Sequence, residues 1–199
     1  MKSFKNALLT AALFTSCMAA QASTVNLAAD NQWQAFGIDS FASLSGGNEW
    51  IDNADTNAPG YGSQLNFTFT IAAGFQGTLT VVDADMAGDT FNVLNNGNLL
   101  GATSSVPVQQ YTSAPDVGYN FDAALANTAF SHGVFTLGAG SYSISGVLAQ
   151  SLLLGSDPLN ATAGAVKLSV SAVPEPSSAL LALAALGVTC LVSRRRGAR

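Results

Sequence analysis

Cysteine and histidine are scarce in this 199-residue chain, and most of its length carries almost no positive charge. The two cysteines, Cys17 and Cys190, lie near the ends, so residues 23–173 can form no disulfide. With His132 the only histidine, a two-histidine metal site is excluded, and a Ser-His-Asp triad would have to use this residue. No Gly-x-Ser-x-Gly elbow occurs, and no Ser-x-x-Lys precedes Lys167, so two common serine-nucleophile signatures are absent. His132, beside Gly133, reads as a turn or surface residue. Between Lys5 and Arg194 the only base is Lys167. Residues 23–173 set eleven carboxylates against it, a net charge of −10. Such a surface repels phosphate backbones and anionic head groups, so nucleic acid is a poor partner. It favours solubility and cation binding, although acidic loops on an exported protein need no further purpose.

What is abundant is glycine, serine, threonine and asparagine, set in alternating patterns. Asn66 to Ile71 puts Phe67, Phe69 and Ile71 on one face and polar residues on the other, the period of a half-buried strand. Thr78 to Asp83, Thr90 to Leu94, Leu99 to Thr103, Gly133 to Leu137, Tyr142 to Leu148 and Ala165 to Val170 read as further strands. Asn96-Gly97 accepts positive φ at both central positions and predicts a type I′ hairpin between Leu94 and Leu99. Only Ala123 to Ala126 looks helical. Many short strands with Gly-rich turns predict an all-β domain, an antiparallel β-sandwich of jelly-roll kind, over residues 23–172. No tandem repeat appears, which argues against a solenoid.

Both ends read as targeting segments. Met1 to Lys5 is a cationic n-region, Ala7 to Ala20 is apolar, and Ala20-Gln21-Ala22 fits the small-x-small rule. Residues 1–22 are therefore expected to be a signal peptide, with secretion translocon and signal peptidase as partners. A rival reading takes Phe14 to Cys17 as a loose lipobox. At the other end Pro174 and Pro176 hold Val173 to Glu175 extended, a form proteases grip. An uncharged Leu/Ala run follows, then Arg194-Arg195-Arg196. The fifteen residues from Ser178 to Val192 span about 22 Å as a helix, short of the ~30 Å hydrocarbon core. Snorkelling arginines bring a thin bilayer within reach, and they would stay cytoplasmic as a stop-transfer cluster. The competing reading, a buried core helix, fits the length but not the arginines. The expected division is motif 173–178, transmembrane helix 179–192 and basic tail 193–199.

Val173-Pro174-Glu175-Pro176-Ser177-Ser178, a Leu/Ala helix and terminal arginines together resemble the PEP-CTERM sorting signal of Gram-negative bacteria, a module also called the ice-binding protein C-terminal domain. The resemblance implies recognition at Val173, Pro174, Glu175 and Pro176 by an exosortase, which removes the helix and basic tail. It implies export across the inner membrane, transient anchoring, and a place at the cell surface or in extracellular polysaccharide or biofilm. Gly88-Asp89-Thr90-Phe91-Asn92-Val93 and Phe130 to Tyr142 are also similar to a pattern in ectodomains of this kind, where they look like a core hairpin. No catalytic residues come across, and a non-enzymatic surface or matrix protein is the expectation.

Four sets of residues are candidates for chemistry. Asp83-Ala84-Asp85-Met86-Ala87-Gly88-Asp89 is the densest acidic stretch. It fails the EF-hand template, with Ala87 at position 5 and Leu94 at position 12. Asp83, Asp85 and Asp89 can still converge on Ca²⁺ at a strand end, or Asp83 and Asp89 simply cap a turn. Asp52 and Asp55 are a second candidate by the same logic. Trp33, Trp50, Tyr61, Tyr111 and Tyr119 sit in or near predicted loops, where flat rings stack on sugars or pack. Trp50 and Tyr61 are the expected carbohydrate contacts. Glu49, beside Trp50, could act as a glycosidase acid if an Asp stood opposite. No organic cofactor is expected.

Overall fold

A computed structural model of the chain describes residues 22–174. The signal peptide, the apolar helix and the arginine cluster expected at the two ends lie outside the described residues. No helix among the described residues is long and apolar enough to cross a membrane.

Almost all regular structure is strand. One five-stranded sheet has the order β1 (Ser23–Asn26), β3 (Leu65–Ile71), β9 (Gly140–Gln150), β5 (Thr90–Asn95) and β6 (Asn98–Ala102). In the second sheet the order is β2 (Gln34–Asp39), β12 (Ala161–Ala172), β4 (Phe75–Met86) and β7 (Asp116–Gly118), with β8 (His132–Leu137) also along β4. A two-stranded ribbon, β10 (Leu153–Leu154) with β11 (Asp157–Pro158), lies apart from both. Pairing is antiparallel except at one edge, where β1 runs parallel to β3. An entirely antiparallel arrangement is thus corrected at that edge.

Alternation decides which side chains meet between the sheets. Phe67, Phe69 and Ile71 of β3, Phe91 and Val93 of β5 and Ile144 of β9 join Phe36 and Ile38 of β2, Leu79 and Val81 of β4 and Val166 and Leu168 of β12 in one buried cluster. At its centre the Phe36 and Trp50 rings stack, centroids 3.9 Å apart, and Phe91 meets Phe36 edge-on. Two glycines make room: a Cβ at Gly146 of β9 would run into the indole of Trp50, and one at Gly164 of β12 into the Phe36 ring. A smaller cluster covers the outer face of the second sheet. There Val82, Ala84 and Ala165 pack with Ala124 of the short helix α1 (Phe121–Ala126), which Asn120 caps by accepting from the Ala123 N–H.

Asn96 and Gly97 do take positive φ, 49° and 76°, and join β5 to β6. The Gly88-Asp89-x-Phe91 stretch owes its pattern to packing. Gly88 has φ 123°, and a Cβ there would press on Gln109. Asp89 Oδ1 accepts from the Leu152 N–H at 2.8 Å, and the Thr103 hydroxyl accepts from the Phe91 N–H at 2.9 Å. These bonds tie the start of β5 to two distant segments.

Candidate functional site

The expected aromatic site is corrected first. Trp50 is wholly buried in the stack with Phe36, so its face is not offered to a sugar. Local pairing puts it there: Trp50 N–H donates to Gly146 O, and Leu65 N–H donates to Trp50 O, which pins residue 50 between β9 and β3. Tyr61 is half-buried in the 53–62 loop. Trp33 is used structurally, its Nε1 donating to Asp122 at 2.9 Å with the Lys167 ammonium 4.2 Å from its ring centroid. Lys167, the only base among the described residues, is in turn 3.7 Å from the Asp122 carboxylate.

Of the five candidate rings the exposed ones are instead Tyr111 and Tyr119, which line one groove of about 500 Å³ together with Asp39, Asn53, Asp85 and Thr162. A second groove of about 430 Å³, bordered by Gln34 and Asp52, shares Asn53 and Tyr119 with it. The two hollows therefore adjoin along the β2 edge. Asp39 Oδ1 is occupied in accepting from the N–H groups of Phe41 and Ala42. Asp85 stands at φ 62°, beside a register shift in β4. Partial burial, and then the neighbouring charge of Asp116, raise its pKa. Rings that present a face and carboxylates that accept from hydroxyls are the chemistry by which proteins hold sugars.

The acidic stretch divides. Asp83 and Asp89 are completely buried, and the Asp89 N–H donates to Asp83 Oδ2 at 3.3 Å. Burial, and then the charge of Asp89, push the Asp83 carboxyl well above the usual range. Asp89 is pushed up to about 6, chiefly by burial, against the bond from Leu152 and the nearby Thr162 hydroxyl, which favour its charged form. Three oxygens here make no hydrogen bond of normal geometry within the described residues: Asp83 Oδ1, Asp89 Oδ2 and Thr162 Oγ1. Among the described residues no three His, Cys, Asp or Glu side chains converge to hold a metal. The expected convergence of Asp83, Asp85 and Asp89 is corrected accordingly: Asp85, at positive φ, is only partly buried and lines the groove, although its charge still reaches Asp89. Asp83 does cap the turn, accepting from the Asp89 N–H, but it does so from the buried interior. Nothing in the residue types distinguished it from Asp85; only the strand's alternation, with Leu79, Val81 and Asp83 on one face, could have.

Asp52 and Asp55 order their own loop. Asp52 accepts from the Ser23 hydroxyl and the Ala54 N–H, and Asp55 from the Asn57 N–H. The ring of His132 makes no hydrogen bond to a serine or carboxylate among the described residues, and its Nδ1 is buried without a partner. Burial would raise the pKa of Glu49, but hydroxyls of Ser43 and Ser45 and its own N–H hold it below the usual carboxylate range. A glycosidase acid needs the opposite shift.

Residues 172–196 match the family model of the PEP-CTERM protein-sorting motif. The match identifies the tail as a sorting signal and implies an exosortase as processing partner, on a chain destined for export. No curated protein matches. Among solved structures the chain is similar to the pre-peptidase C-terminal domain of a collagenase from Bacillus anthracis, at 9% identity and a TM-score of 0.34 over 75% of this chain and 95% of that one. A likeness that loose carries neither topology nor activity across.

Proposed function

We propose that this is a non-enzymatic extracellular protein of a Gram-negative cell: a β-sandwich of jelly-roll kind at residues 23–172, exported by its signal peptide, held briefly by its apolar helix, cut near Val173–Pro176 by an exosortase, and left at the surface or in the exopolysaccharide of a biofilm. The observation that carries this reading is where the sorting motif begins. Strand β12 ends at Ala172, Val173 donates its N–H to Gly74 O, and the proline pair follows at once. The last described strand thus ends just upstream of the expected cut. Intact-mass measurement on the protein from its host tests the proposal. The expected product begins at Ser23 and ends within residues 173–176, while Pro174→Ala with Pro176→Ala retains the arginine tail. Full-length protein with Met1 and Arg199 in the cytosol would overturn it.

Carbohydrate binding is a second reading, favoured by the two exposed tyrosines of the groove. It predicts that retention on the host's own polysaccharide is lost in Tyr111→Ala and Tyr119→Ala and kept in Tyr61→Ala. Retention unchanged in all three removes it.

A further inference from the structure

Among the described residues no lysine or arginine answers the buried acid pair. Lys167, the one base among the described residues, is engaged with Asp122 and Trp33 on the outer face of the second sheet. Asp83 lies on the inner face, in line with Leu79 and Val81. Cross-strand register brings a third oxygen to the same face: Gly164 pairs with Asp83, and Thr162, two residues before Gly164 on β12, pairs with the inward-facing Ile38 of β2. The place over Gly164 on that face is taken by the Phe36 ring, which walls the corner on the core side. From the other sheet, Asp89 is held by the Leu152 N–H through Oδ1, which leaves Oδ2 turned toward this corner. Asp83 Oδ1, Asp89 Oδ2 and Thr162 Oγ1 are each buried and unpartnered within the described residues. Thr162 is not an acid: its hydroxyl lies near enough to Asp89 to favour the charged carboxylate, yet it completes no hydrogen bond of good geometry among the described residues.

A buried polar oxygen without a partner costs about 1–3 kcal/mol, and a charged one more. Three at one corner require a common partner. It must be positive, oxygen-seeking and tolerant of irregular geometry, which describes Ca²⁺ and not the strictly octahedral Mg²⁺. Thr162 also lines the tyrosine groove, a route by which an ion and its remaining water ligands can enter. We propose that Asp83, Asp89 and Thr162 form a Ca²⁺ site that closes one end of the inter-sheet core beneath that groove. Asp85, at the groove, lies outside the set.

Thermal unfolding of the full-length chain in detergent, followed by tryptophan fluorescence at constant ionic strength, tests the site with CaCl2, MgCl2 or chelator. At Ca²⁺ about tenfold above a Kd of ~1 mM, the value of weak extracellular modules, Tm should rise by about 3–6 °C. Mg²⁺ should do less, and titration calorimetry should report one Ca²⁺. Asp83→Asn and Thr162→Val should abolish the response. Thr162→Val changes neither charge nor shape much, so it remains informative if an Asp variant does not fold. An unchanged wild-type Tm, or a response to pH alone, overturns the site in favour of a proton shared by the two carboxyls. A Ca²⁺ shift that survives in both variants overturns it in favour of another location.

Discussion

Asp83 and Asp89 make stability depend on pH in the direction opposite to most acids. A carboxyl whose folded pKa lies above its unfolded value of about 3.8 binds its proton more tightly when folded. Its contribution is complete below pH ~3.8 and is lost as pH rises through the folded value, about 6 for Asp89, with Asp83 shifted in the same direction by burial. In chelator, Tm should therefore fall as pH rises from about 4 to above 6. Asp83→Asn should flatten that slope and raise stability at neutral pH, read from urea unfolding. A Tm that climbs over this window would contradict the burial assigned to the pair. Elsewhere in the core, shape matters more than charge. Because Gly146 and Gly164 leave the gaps that Trp50 and Phe36 fill, either glycine to Ala should cost about 1–3 kcal/mol by overpacking. Trp50→Ala should cost about 3–5 kcal/mol by leaving a void. At this scale the sequence was least legible: a tryptophan among glycines and acids reads as loop until its pairing with β9 and β3 is known.

At the scale of elements the pattern was far more readable. Residues Asn66 to Ile71 alternate strictly, and the strand there buries what alternation says it should. Asn96-Gly97 dictated its own turn. The strands that escaped notice, β1, β2, β7, β10 and β11, are short or broken by glycine, as in Gln34-Ala35-Phe36-Gly37; β1, β2 and β7 are set by pairing with distant segments, and β10 and β11 pair with each other over only two residues each. Strands β4 and β12 each run twelve residues, beyond the stretches whose alternation is visible, because each is the other's partner over ten positions. Side-chain substitutes for backbone pairing mark the weak points of such elements. Thr103 supplies the acceptor for Phe91 N–H where β6 has already ended. Thr103→Val should orphan that buried N–H, cost about 1–3 kcal/mol, and speed hydrogen exchange at the Phe91 amide above that of Val93.

For the molecule as a whole, eleven carboxylates against one lysine set the long-range behaviour. Repulsion among exposed acids is screened over about 10 Å at 0.1 M salt, so adding NaCl to a low-salt solution should raise Tm by a few degrees. A salt-independent Tm would mean that the charges are too dispersed to matter. Export, unlike the groove, was written in the linear order of proline pair, apolar run and arginines, because such signals are met as extended chain and not as a fold. The groove arises from Tyr111, Tyr119 and Asn53, segments far apart in sequence that no local pattern joins.

The route from β12 into the tail has a mechanical consequence. This strand is not at an edge: β2 flanks it on one side and β4 on the other. While the C-terminus is tethered, drag on the domain pulls β12 lengthwise against its neighbours. Its ladder bonds are then loaded together in shear rather than opened one by one like a zip. Attachment through an interior strand gives a domain held by one end its greatest resistance to being pulled apart in flow.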